Sequence, residues 1–207
     1  MLGPFLLITL VWLSVTVYAN EGVLAPEVMA DIVRRTSGVE MSVVQLDQLR
    51  RRGRWAYPLL PALLAIRVGV VALALQMVSM LMAHAVPYRE AFRAGLWGFA
   101  AVAYGAFVRT LRLDLLPAGG LTRAELALVP DSLAAIFSRG GGELTVLSSA
   151  LGVLSLHDAF WICIVAACLK TRTDLGTWRA LAVAVGAWCA TAAARVGAQV
   201  LMIGMLG

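Results

Sequence analysis

The chain has 207 residues, 61% of them hydrophobic and 14% charged, with a formal net charge of +5. A soluble domain is about 45–50% apolar and about 25% charged, so a soluble bundle is a poor description of this composition. The positive charge comes from sixteen arginines and one lysine, Lys170, most of them beside apolar runs rather than in a basic stripe interleaved with aromatics. That distribution suits membrane orientation, and nucleic acid is not an expected partner. The expected fold is all-α: a single integral membrane domain over residues 1–207, with about five transmembrane helices and interfacial amphipathic helices between them.

In chain order, a first apolar run covers residues 3–19, at the short end of the 17–25 residues that a span needs. Val17-Tyr18-Ala19 resembles a signal-peptide cleavage site, but no Lys or Arg precedes the run, so a retained helix is expected. The polar stretch that follows carries two helix patterns. Pro26 opens one near 26–36, with Val28, Met29, Ile32 and Val33 on one face. Ser42 opens another near 42–54, with Gln45 completing a capping box and Leu46 and Leu49 preceding Arg50-Arg51-Arg52. Both are expected on the headgroups with their arginines among phosphates, which makes anionic lipids a partner.

A second span is predicted at 58–83, carrying Arg67 and Gln76, and a third at 91–108 with Arg93 snorkelling. The connector 109–142 is broken by Pro117-Ala-Gly-Gly and Arg139-Gly-Gly-Gly, and an amphipathic piece near 122–137 lies between them. The fourth and fifth spans are predicted at 144–169 and 178–206. Loops 20–57 and 109–142 hold ten Lys and Arg against five in the other two loops, which places the former in the cytoplasm and the N-terminus outside. The arginine bias suggests a GC-rich bacterial genome, hence the bacterial inner membrane.

Four polar residues fall deep in these runs: Arg67, His157, Asp158 and Arg195. A charge at mid-membrane costs about 2.5–3.5 kcal/mol on insertion scales, so each needs a partner. Helix rise puts Arg67, Asp158 and Arg195 well inside their spans, which allows Asp158 to pair with either arginine. Two readings of Asp158 stay open. It is a mid-membrane counter-charge in a long fourth helix, the expected case, or Ser155 or Asp158 caps a shorter helix at the surface. A single cluster favours structural pairing over a transport relay. His157 has the chemistry of a tetrapyrrole ligand, but one histidine in a helix is little to build on.

No motif for metal, nucleotide or nucleophile chemistry is present, and Cys163, Cys168 and Cys189 stand alone in apolar stretches. No cofactor, metal site or catalytic residue is expected, and the chain is not expected to be an enzyme. In the fifth span Ala182, Gly186, Ala190, Ala194 and Ala198 recur every four residues, a candidate helix-packing face. Ala94/Gly98 and Ala101/Gly105 are weaker versions in the third.

The order of pieces also carries a resemblance. A short first span, the stretch MSVVQLDQLRRR, a hydrophobic hairpin with a PYREAFR turn, and a Gly/Pro-rich connector precede LSLHDAFWICIVAACLKTRTDLGTWRALAVAVGAW. This resembles the Yip family of multi-spanning proteins, named for interaction with Ypt/Rab GTPases, and in particular its bacterial members. Here Trp161 follows Phe160 directly, and the helix end reads CLKTRTD where the family has a Leu-Gly type end. The resemblance implies a five-helix bundle and adaptor roles without enzymatic activity; a small GTPase partner does not suit a bacterial chain. The expected function is a non-enzymatic scaffold or accessory subunit whose partners are other integral membrane proteins. The alternatives are a small transporter or channel using Arg67, Asp158 and Arg195, and a pigment- or haem-associated subunit using His157.

Overall fold

The computed structural model describes residues 2–38, 40–116, 132 and 155–206. All its elements are helices: α1 (Leu2–Val17), α2 (Pro26–Ser37), α3 (Val43–Ala56), α4 (Leu60–Leu81), α5 (Tyr88–Leu115), α6 (Leu156–Arg172) and α7 (Thr177–Leu206). Among the described residues the sole strand-like feature is one antiparallel bridge between Ser132 and Ser155. Three helical runs, Leu2–Val23, Val43–Leu81 and Tyr88–Leu115, are long and apolar enough to cross a membrane.

Local chemistry sets the helix ends. The hydroxyls of Thr9, Ser14 and Thr16 along α1 donate to the carbonyls four residues back, at 2.7, 2.9 and 2.8 Å. A hydroxyl satisfied inside its own helix can face hydrocarbon without an orphaned donor. After Val17 the coil widens into a π-helical stretch, Tyr18–Val23, which delivers the chain to α2. Pro26 opens α2, and Gly38, at φ +69°, closes it with its amide on the Arg34 carbonyl at 2.9 Å. Ser42 and Gln45 form the expected capping box: Gln45 N–H donates to Ser42 Oγ, and Ser42 N–H donates to Gln45 Oε1. The 3₁₀ turn Tyr57–Leu59 then joins α3 to α4 without a loop.

Buried Ser79 organises the α4–α5 turn. Its hydroxyl donates to Gln76 O at 2.8 Å and accepts from Val86 N–H at 3.2 Å. Helix α5 is longer than the predicted 91–108, because Pro87 sets its start and Thr110 and Leu113 are buried at its far end. Arg93 does not stand alone there; it pairs with Glu90 at 2.6 Å, one turn back.

The fourth predicted span needs correction. Ser155 is extended (φ −127°, ψ 161°) and caps α6, so the helix begins at Leu156 rather than near 144. Of the two readings, the cap at Ser155 is the one observed, with Ser155 and Asp158 buried, and α6 has 17 residues. The amphipathic piece expected near 122–137 lies outside the described residues apart from Ser132.

The main core joins α4, α5, α6 and α7 through Ala72, Leu75, Ala94, Ala101, Trp161, Val165, Leu169, Val183 and Ala187. Helices α4 to α7 alternate in direction. Helix α1 runs parallel to α5, since Ile8 and Trp12 meet Leu96 and Phe99 while Tyr18 reaches Asp114. Helix α2 rests on the end of α5 through Val23, Ile32 and Leu113. The ends of α1 and α5, the starts of α4 and α6, and the α2–α3 hairpin therefore share one end of the bundle.

Candidate functional site

Helix α5 presents glycines to α6. A β-carbon at Gly98 would stand 2.7 Å from both Trp161 Nε1 and Val165 Cγ2, and one at Gly105 would stand 2.7 Å from His157 Cγ. The missing side chains are the sockets into which α6 fits. Gly98 and Gly105 are seven residues apart, two turns of one face, and this is the small-residue packing foreshadowed by the Ala/Gly pairs of the third span.

At the mouth of the Gly105 socket sit Ser155, His157 and Asp158. Asp158 N–H donates to Ser155 Oγ at 3.3 Å, and that hydroxyl donates in turn to Asp158 Oδ2. His157 Nε2 lies 3.2 Å from the same hydroxyl and 3.7 Å from Asp158 Oδ2. The His157 and Asp158 side chains are 15% and 9% exposed. The three residue types match a hydrolase triad, but the arrangement does not. In a triad the imidazole stands between hydroxyl and carboxylate, using a different nitrogen for each. Here hydroxyl meets carboxylate directly, and one imidazole nitrogen faces both. Ser155 satisfies a first-turn amide, and the carboxylate stands where the helix dipole favours negative charge. This is the chemistry of a reinforced helix start. Arg109 and Arg112, one and two turns beyond Gly105 on α5, add positive charge toward this end of the bundle.

The expected cluster of Arg67, His157, Asp158 and Arg195 is not assembled as drawn. His157 and Asp158 adjoin, but Arg67 is exposed on α4 with its guanidinium carbon 5.5 Å from the centre of the Trp12 ring. Trp12 is itself braced edge-on against Phe99, with ring centroids 5.1 Å apart. The equal depth expected for Arg67 and Asp158 does not hold, because Asp158 lies in the first turn of α6 while Arg67 is seven residues into α4, and Arg67 turns toward α1. The Arg195 side chain lies outside the described residues.

The expected packing face of the last helix also shifts. Ala182, Ala190 and Ala194 are exposed, Gly186 is half-buried with Val78 Cγ1 2.8 Å from where its β-carbon would be, and the Ala198 side chain is outside the described residues. The packed face is Ala180, Val183, Ala184 and Ala187, all fully buried. A ladder with a step of four drifts about 40° per step on a helix of 3.6 residues per turn, so it winds off any one contact line. Positions spaced i, i+3, i+4 and i+7 stay on that line.

A cleft of about 450 Å³ opens between the π-helical stretch, α2 and α3, with Leu24, Met29, Val33 and Leu49 among its apolar walls. Two ion pairs cross its rim, Arg50 with Glu27 and Arg54 with Glu21, the latter at 3.4 Å. Among the described residues no group of three or more His, Cys, Asp or Glu is arranged to hold a metal ion. Sequence reasoning missed Trp12, whose role depends on how α1 lies across α4; the Trp/Arg pair has no signature along the chain. Comparison with protein-family models, curated proteins and solved structures returns no match.

Proposed function

We propose that the chain is a non-enzymatic multi-pass membrane protein serving as a scaffold or accessory subunit of a larger membrane complex. In this reading α1, α4, α5, α6 and α7 all cross the bilayer, with the N-terminus outside and the α2–α3 hairpin at the cytoplasmic face of a bacterial inner membrane. Membership of the Yip family, suggested by the SLHDAFWI stretch, belongs to the same reading.

The observation that carries it is the outer surface of α4. Leu63, Ile66, Val70, Leu73, Met77 and Met80 form a continuous exposed apolar row, more than a monomer in water leaves uncovered. Exposed Tyr18 and Trp55 near one end of the bundle, with Trp178 at the other, match the aromatic belts at membrane surfaces. The polar groups at the start of α6 are engaged in capping that helix, which supports architecture over turnover. The transport reading needs Arg67 and Asp158 in one cluster, and the Trp12 contact gives it no such support.

Crosslinking in native membranes followed by purification in mild detergent tests the proposal. The expected result is a complex with at least one further integral membrane subunit in fixed ratio. A monodisperse monomer without a stoichiometric companion overturns it.

A further inference from the structure

We propose that Arg67, with the apolar row of α4 around it, is the seat for a transmembrane helix of a partner subunit that carries a carboxylate at matching depth. The inference rests on the accessory-subunit reading and names the chemistry of its contact.

Arg67 stands among Leu63, Ile66 and Val70 on the exposed row, seven residues into α4 and so about 10 Å along the helix. Among the described residues its guanidinium has one neighbour to answer its charge, the Trp12 ring. A ring engages the flat face of a guanidinium, while the N–H donors lie in the plane and point elsewhere. Those in-plane donors match the two oxygens of a carboxylate. A cation left in hydrocarbon with a ring alone is costly, so the surface is complete only when something anionic covers it.

The position of Trp12 favours a partner helix over a lipid headgroup. Trp12 lies five residues before the end of α1, about 8 Å inside it, and Phe99 fixes it there. The contact holds the guanidinium inward, away from the phosphates. Among the described residues a second copy of this chain offers no carboxylate at that depth: Glu21 and Asp114 stand at span ends, and Asp158 is buried in its cap. The proposed occupant is therefore a different chain.

The test uses the full chain in phosphatidylcholine vesicles with a fluorescent polyleucine helix bearing one Asp about 10 Å from its end. Energy transfer should report association about tenfold tighter than for the all-Leu helix, the scale of one interhelical polar contact. Replacing the probe's Asp by Asn, which leaves the protein untouched, should remove most of the gain. Arg67→Met should abolish it, and Arg67→Lys should keep part. No preference for the Asp helix, or a preference that survives Arg67→Met, overturns the proposal. Loss of the preference on adding phosphatidylglycerol also overturns it and assigns Arg67 to lipid phosphate. Native crosslinking separates the two readings. A complex equally intact with wild type and Arg67→Met overturns the Arg67 seat while the scaffold stands. No complex with wild type overturns the scaffold, and with it the seat.

Discussion

The imidazole of His157 fills the space that Gly105 leaves empty: a β-carbon on Gly105 would come within 2.7 Å of His157 Cγ. One helix is thus keyed to another by an absence of atoms on α5 and a ring on α6. Gly98 repeats the device two turns away with Trp161 and Val165. Substitutions in these sockets therefore act by forcing two helices apart, which is felt through the whole core.

Gly105→Leu and Gly98→Val are expected to destabilise the fold by about 1–3 kcal/mol each, the usual cost of overpacking. Gly69→Ala is the control of opposite sign. Its nearest obstacle is the Tyr88 hydroxyl at 3.5 Å, and replacing a helical glycine by alanine gains up to about 1 kcal/mol. Denaturation in detergent micelles, followed by tryptophan fluorescence, reads all three. Equal stability of Gly105→Leu and wild type contradicts the socket.

Ser155→Ala removes the acceptor for the Asp158 amide and should cost about 0.5–2 kcal/mol, while Ser155→Thr keeps most of the cap. Hydrogen exchange of the first-turn amides of α6 locates the effect. Faster exchange confined to that turn is expected; unchanged protection in Ser155→Ala refutes the cap.

Ser79 gives a sharper version at the other end of the bundle. Its hydroxyl receives the Val86 amide where both residues are buried, so Ser79→Ala orphans a donor at a cost of about 1–3 kcal/mol. Thermal unfolding should show the loss, and proteolysis should speed up at the 82–87 turn. A variant that melts with wild type contradicts this account of the turn.

The two faces of α7 predict opposite outcomes. Ala184 is fully buried and Ala182 is exposed, so Ala184→Leu should cost about 1–3 kcal/mol and Ala182→Leu about 0.5 kcal/mol or less in the isolated chain. Measured in detergent on the purified protein, the reverse order restores the step-of-four ladder as the contact face.

Much of the architecture was legible along the chain because long apolar helices announce themselves through composition and length. The start of α2 at Pro26, the Ser42/Gln45 box and the turn near Pro87 follow from residues adjacent in sequence. What failed depended on azimuth or on competition between neighbours. The run 144–169 is apolar enough to suggest one helix, but Ser155 satisfies the Asp158 amide and starts a shorter one. Arg67 was given the wrong neighbour for two reasons: the predicted fourth span put Asp158 too far inside its helix, and the direction of Arg67 depends on α1. The alanine ladder shows the same limit, since a small residue is permissive on any face and only packing chooses which face is used.

The loop-free passage from α3 through Tyr57–Leu59 into α4 makes Val43–Leu81 one 39-residue helical run. Such a run is about 58 Å long, close to twice the hydrocarbon thickness of about 30 Å. Helix α3 is therefore an arm about 21 Å long joined directly to α4. If the joint holds its angle, a 10° change in the tilt of α4 swings the tip of that arm through about 4 Å.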